Sequence, residues 1–136
     1  MSYPNPAAQA ARSKYVSNAV DAMSPGRVIV ALYDRMLLDL ERAAQALAEG
    51  AHETVHDCLV HAQAILAELH DSLDCERWPA GRALGDIYLF VYNELITANV
   101  EKDAARITSC RKLITPLRDA WVQAAGIVPT GAGGNA

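Results

Sequence analysis

Apolar side chains recur every three or four positions along several stretches of the chain, which is the spacing of one face of an α-helix. The first long stretch follows Ser24, a good N-cap residue, and begins at Pro25, which has no backbone N–H to lose at the first helical position. It ends at about Glu49, because Gly50 is a typical residue just after a helix. The pattern therefore predicts a helix over 25–49.

The apolar arc of this first long helix is about 160° wide, whereas packing into a small bundle needs only about 100°. Its charged residues fall on the opposite side. The spare flank consists of Val30, Tyr33, Leu37 and Ala44. We expect either other parts of the chain or another protein to cover this flank.

A second helix is predicted over 52–74, where a heptad pattern is typical of an antiparallel bundle neighbour. A third is predicted over 79–98, with an apolar arc that also exceeds what one core requires, and Asn99 to Asp103 indicates a break. A fourth is predicted over 103–125, with Asp103 as its cap and Pro116 inside it. The side chains that widen the arc of the third helix are Leu89, Tyr92 and Ile96.

No strand pattern occurs in the sequence. The predicted fold class is all-α, an up-down antiparallel four-helix bundle with a short N-terminal helix. We expect residues 1–125 to form a single domain in which residues 1–23 are a mobile segment. The Gly-rich stretch 126–136 has too little apolar surface to order itself and is predicted to be a disordered tail.

Composition and charge exclude several classes of function. The chain has 136 residues and a formal charge of −4, with scattered Lys and Arg, so neither nucleic acid nor an anionic membrane surface is an expected partner. No stretch is long and apolar enough to cross a membrane, and residues 1–12 do not have the pattern of a secretory signal. The three cysteines are odd in number and lack paired spacing, which favours reduced thiols in the cytosol.

Candidate catalytic and metal-ligating residues are few. Glu53 and His56 form an E-x-x-H motif, but a di-iron bundle needs two such motifs and further inward glutamates, so no metal or other cofactor is expected. His52, His56 and His70 share a helix flank with Gln63, which leaves a pH-sensing contact face open. The acidic residues fall on polar arcs, so no buried carboxylate pair is predicted. Without a nucleophile motif or a phosphate-binding loop, the chain is not expected to be an enzyme.

A set of short motifs, in order and at fixed spacing, resembles the flagellar secretion chaperone family, FliS. The resemblance covers residues 10–121. The motifs are Tyr15 with Val20, Met23-Ser24-Pro25-Gly26, Leu32-Tyr33-Asp34, Ile65-Leu66-Ala67-Glu68-Leu69 with Leu73-Asp74, Ile87-Tyr88 with Leu95, Ala98-Asn99, Lys102-Asp103 and Leu117-Arg118-Asp119-Ala120-Trp121.

The resemblance implies a cytoplasmic export chaperone that binds the C-terminal segment of flagellin, prevents its early polymerisation and helps to present it to the flagellar type III export apparatus. The cytoplasmic domain of the export gate is a further implied partner. The wide arcs supply the apolar grooves that such a client needs. The residues predicted to contact the partner are Tyr15, Val30, Tyr33, Leu37, Leu89, Tyr92, Ile96 and Asn99.

Two alternatives remain open at this point. Tyr33 and Tyr88 are equally well explained as tyrosines at the edge of the core, and the N-terminal segment bearing Tyr15 is an equally good cover for Val30 and Leu37. In a different class of function, the surplus apolar flanks would bury a homodimer interface in a scaffold protein without a client.

Overall fold

The structure of the chain is a computed structural model that describes Ala7 and residues 25–126. Within residues 25–126 it contains four helices and no strand: α1 Pro25–Ala48, α2 His52–Asp71, α3 Ala80–Glu101 and α4 Ala104–Ala124. The predicted all-α four-helix bundle is confirmed. The predicted N-terminal segment with Tyr15, the predicted cap Ser24 and the predicted tail after Gly126 lie outside the described residues.

The helix ends follow from local backbone chemistry. Gly50 has a φ of +73° directly after α1, a conformation that glycine adopts without steric cost. Asp103 caps α4, since its side chain accepts hydrogen bonds from the backbone N–H groups of Ala105 and Arg106.

The predicted break between the third and fourth helices was too long. Helix α3 continues to Glu101, and only Lys102 and Asp103 separate it from α4. Lys102 adopts the left-handed conformation and its N–H donates to the carbonyl of Ala98, which ends the helix in a tight turn. Asn99 therefore belongs to the last full turn of α3.

The four helices form a square in which each helix packs against two others. Helix α1 contacts α2 and α4, and α3 contacts the same two helices from the opposite corner. The turns between successive helices are short, at 49–51, 72–79 and 102–103, so neighbours along the chain run antiparallel, as in an up-down bundle. Helices α1 and α3 therefore face each other across the diagonal.

A pair of tyrosines spans this diagonal inside the core. Tyr33 of α1 is fully buried and Tyr88 of α3 is 2% exposed, and their hydroxyl oxygens are 2.5 Å apart. The two rings are tilted at 55° with centroids 6.3 Å apart. Each buried hydroxyl thus has its partner in the other tyrosine, as a buried polar group requires. Burial raises the pKa of both phenols.

Helices α1 and α4 are joined by an ion pair and, near one end, by a close approach of two small residues. The guanidinium of Arg118 donates to both carboxylate oxygens of Asp34, at 2.7 and 3.4 Å. At the start of α1, a Cβ on Gly26 would lie 2.7 Å from the Cβ of Ala125, so only glycine permits this approach. The side of α1 that bears Asp34 is therefore held against α4.

We predict that Tyr33→Phe and Tyr88→Phe each lower the free energy of unfolding by about 1–3 kcal/mol, because each leaves a buried hydroxyl without its partner. The double variant should lose less than the sum of the two single losses, since it removes both hydroxyls. Urea denaturation of the four proteins measures this cycle. Tyr92→Phe is the control and should shift stability by less than about 0.5 kcal/mol. Strictly additive losses would contradict the pairing.

We further predict a loss of stability in alkaline solution. The raised pKa values of Tyr33 and Tyr88 mean that the folded state keeps protons that the unfolded state releases above pH about 10. Burial also raises the pKa of the Cys110 thiol to about 11. The stabilisation from these three groups is complete below the pKa values that they have in the unfolded chain. It is lost as the pH rises towards their higher pKa values in the folded state. Urea midpoints at pH about 7.5 and about 10.5 should fall less in the Tyr33→Phe/Tyr88→Phe variant than in the wild type.

Candidate functional site

Helix α3 carries most of the large apolar side chains that remain exposed in the described part of the chain. Leu89, Phe90, Ile96 and Val100 are exposed to 48%, 55%, 43% and 79%. The helix already contributes a full core stripe, which is Leu84, Tyr88, Val91, Leu95 and Ala98. Its remaining apolar residues therefore point beyond the core, and they do so on both sides of the helix.

On one side these residues form a groove with α2. The groove has a volume of about 220 Å³ and its lining residues are Leu66, Ala67, His70, Asp71, Tyr88, Leu89 and Tyr92. We call it the α2–α3 groove. Ile96 follows Tyr92 by one helical turn, so the apolar wall continues along α3. On α2, Val60 is also an exposed apolar side chain, at 45%.

Polar side chains join α2 and α3 beyond Ile96. The side-chain amide of Asn99 donates to Nδ1 of His56 at 2.9 Å. Its carbonyl oxygen accepts a hydrogen bond from the ammonium of Lys102 at 2.5 Å. Both polar atoms of Asn99 thus have partners within the chain, and a bound backbone would have to exchange with them.

Seven of the eight predicted contact residues lie in the described part of the chain, which excludes Tyr15, and these seven do not form one surface. Leu89, Tyr92, Ile96 and Asn99 lie together on α3, on the side that faces α2. Val30 is 6% exposed and Tyr33 is fully buried, so the structure places both in the interior and not on an exposed flank. Leu37 is half-buried against the core.

The reason for this difference lies in the position of α1. Helix α1 is packed by α2 and by α4, and Arg118 binds Asp34 one turn before Leu37. The width of its apolar arc is therefore largely used inside the bundle. Helix α3 has an equally wide arc, but the large side chains at its outer edges extend past the same two neighbours.

A second groove, which the sequence interpretation missed, lies on the other side of α3. We call it the α3–α4 groove. It has a volume of about 360 Å³, and its lining residues are Trp78, Ala80, Ala83, Leu84, Ile87, Leu117, Ala120, Trp121 and Ala124. Trp78 and Trp121 meet edge to face with their ring centroids 5.9 Å apart.

The exposed side chains of Phe90 and Leu113 continue this surface, since they line the next cavity between the same two helices. The ion pair between Arg106 and Glu94, at 3.0 Å, bridges α3 and α4 beyond them. Phe90 and Leu113 lie outside the core stripes of their helices, which is the signal in the sequence that could have revealed the groove.

A buried carboxylate also contradicts the expectation that every acid lies on a polar arc. Asp39 of α1 is 2% exposed and binds Nδ1 of His61 on α2 through a short hydrogen bond. Nε of Arg35 lies 3.5 Å from its other carboxylate oxygen. The pKa of the nearby Cys58 thiol is raised, first by burial and then by the negative charge of Asp39. This cluster joins α1 to α2 on the side of the bundle away from α3.

Two features are absent from the described residues. Among them no three His, Cys, Asp or Glu side chains are placed to hold a metal ion together. None of α1 to α4 is long and apolar enough to cross a membrane.

Comparison with known proteins adds to this geometry. Residues 7–128 match the family model described as flagellar protein FliS. The chain is also similar to the flagellar secretion chaperone FliS of Bacillus subtilis (strain 168), with 31% identity over 110 residues that cover 81% of this chain and 82% of the relative. The matched region includes all four helices and both grooves.

We predict that His61→Ala lowers the free energy of unfolding by about 1–3 kcal/mol, because the buried carboxylate of Asp39 loses its closest hydrogen-bond partner. In the Asp39→Asn variant, His61→Ala should lower the free energy of unfolding by less than it does in the wild type, because a buried neutral amide needs less compensation than a buried carboxylate. His52→Ala, at an exposed histidine of the same helix, is the control. Equal stability of the His61 and His52 variants in urea would contradict a structural role for the Asp39–His61 contact.

Proposed function

The chain belongs to the FliS family of flagellar proteins, and on this premise we propose that it is a flagellar export chaperone that binds the C-terminal segment of flagellin. It would do so in the cytoplasm, keep flagellin from polymerising early and assist its delivery to the type III export apparatus. Delivery would bring it into contact with the cytoplasmic domain of the export gate. The proposed activity is binding, without catalysis.

The observation that carries this proposal is the exposed apolar wall of α3 in the α2–α3 groove. Tyr88, beneath the wall, is held in the core by Tyr33, so the wall has a fixed base. A chaperone for a segment that folds only on assembly must offer an apolar groove to an amphipathic helix. The ordering of the client consumes part of the interaction energy, so a long groove is needed for useful affinity.

Leu89, Tyr92 and Ile96 are the residues that we propose to contact the apolar face of the client. They are spaced by three and four positions, so they present one continuous strip to a helix lying along the groove. Asn99 would provide a polar contact at the end of this strip after releasing His56 or Lys102.

The α3–α4 groove is the observation that favours a second candidate, a homodimeric helical scaffold without a client. Phe90 and Leu113, which continue its surface, are 55% and 43% exposed, and an isologous dimer would cover both copies of this surface. Analytical ultracentrifugation at nanomolar concentration separates the two functions. A tight dimer that Phe90→Glu dissociates would favour the scaffold.

We predict saturable one-to-one binding when the protein is titrated calorimetrically with the C-terminal segment of flagellin from the same organism. The heat-capacity change should be large and negative because apolar surface is buried. Tyr92→Glu and Ile96→Glu should each weaken binding at least about tenfold, since each places a charge in the apolar contact.

Thr108→Glu, at an exposed position on α4, adds the same charge away from this groove and should leave the affinity unchanged. Binding that survives both α3 variants would move the client to another groove. If the flagellin segment does not bind at all, the chaperone proposal is wrong.

A further inference from the structure

The α2–α3 groove lies between the two most acidic helices of the bundle. Helix α2 has no Lys or Arg, and α3 has a single basic residue, Arg82. The acidic residues of the two helices are Glu53, Asp57, Glu68, Asp71, Asp86, Glu94 and Glu101. Helix α4, in contrast, has four basic residues and one acidic residue. The formal charge of −4 of the whole chain hides this asymmetry.

The acidic charge of the groove comes mainly from its α2 side. Asp71 lines the groove, and Glu53, which is exposed one turn before His56, lies at the same helical angle as Asp71. His56 itself contacts α3. On α3, Glu94 is paired with Arg106 and lines the opposite groove. The α2–α3 groove therefore has an apolar wall on α3 and an acidic rim on α2.

We propose that the segment bound in the α2–α3 groove is an amphipathic helix whose apolar stripe is flanked by Lys or Arg on the side that meets α2. The inference rests on the proposed function, because it specifies the chemistry of the client at the same site. An occupant with acidic flanks would meet like charges at both ends of α2, where its four acidic residues lie.

Physical consequences follow from the position of these charges. They are exposed, so each attraction to the client is small, but several attractions of one sign act together. A groove edged by one sign of charge also attracts an oppositely charged partner before contact and raises the association rate. Both effects are screened by salt, whereas apolar contact is not.

Two synthetic helical peptides provide the test. Both have the same stripe of Leu and Ile, and the residues flanking the stripe are Lys in one peptide and Glu in the other. At an ionic strength of about 0.01 M the lysine peptide should bind the full-length protein at least about tenfold more tightly, and the difference should largely disappear at about 1 M. The flagellin segment of the same organism is titrated in the same buffers and used to displace the bound peptide.

Matched variants locate the effect. Glu53→Gln/Asp71→Asn removes two negative charges from the rim and should reduce the preference for the lysine peptide at least about threefold. Glu41→Gln/Glu49→Gln removes two exposed negative charges at α1 and should leave the preference unchanged. Circular dichroism checks that both variants keep their helices.

Displacement of the lysine peptide by the flagellin segment, together with a preference that only the rim variant reduces, would support the proposal. Equal binding of the two peptides, or a preference that the rim variant leaves intact, would overturn it while the flagellin titration still stands. If flagellin fails to bind, the proposed function is wrong, and the peptide pair alone decides the charge of the occupant. A dimer of the protein alone would overturn the proposal under two conditions. The Arg111→Gln/Lys112→Gln variant would have to dissociate the dimer, and the lysine peptide would have to compete with it. A second copy of the chain would then be the occupant of the groove.

Discussion

The hydrogen bond between Tyr33 and Tyr88 is the contact on which the rest of the structure depends. It joins the two helices, α1 and α3, that face each other across the diagonal of the bundle. Diagonal helices in a four-helix bundle are otherwise connected only through the apolar core. Because both hydroxyls are buried, each requires a hydrogen-bond partner, and their contact is possible only while Tyr33 and Tyr88 both face the centre of the bundle. The rotation of α3 in turn determines which of its side chains face solvent.

With α3 fixed in this way, its apolar arc is divided among three environments. The centre faces the core, one edge faces α2 and the other faces α4, and neither neighbour covers the edge residues Leu89 and Phe90. The two grooves border on helices of opposite charge, since α2 is acidic and α4 is basic. Fold and charge therefore give the two sides of one helix different electrostatic surroundings, although both are apolar at their base.

The remaining ion pairs and hydrogen bonds support this arrangement from outside. Asp39 and His61 join α1 to α2, Asp34 and Arg118 join α1 to α4, and Glu94 and Arg106 join α3 to α4. Each of these pairs connects neighbours around the square, whereas the tyrosines connect opposite corners. The ion pairs of Arg118 and Arg106 are partly exposed and contribute little free energy, so their effect is mainly to set the register of helices that apolar packing already holds together. The Asp39–His61 contact differs, because Asp39 is buried and has its closest hydrogen-bond partner in His61.

Within residues 25–126 the sequence by itself determined the number and order of the helices, the end of α1 at Gly50, the cap of α4 at Asp103 and most of the core stripes, because these depend on periodicity and on backbone chemistry within a few residues. It also identified Leu89, Tyr92 and Ile96 as surplus to the core. Only the tertiary structure decided that the equally wide arc of α1 is enclosed, that Asp39 is buried with His61, and that Phe90 and Leu113 edge a second groove. Those outcomes depend on which neighbour covers each flank, and contacts between residues far apart in the chain leave no periodic signal in any one helix.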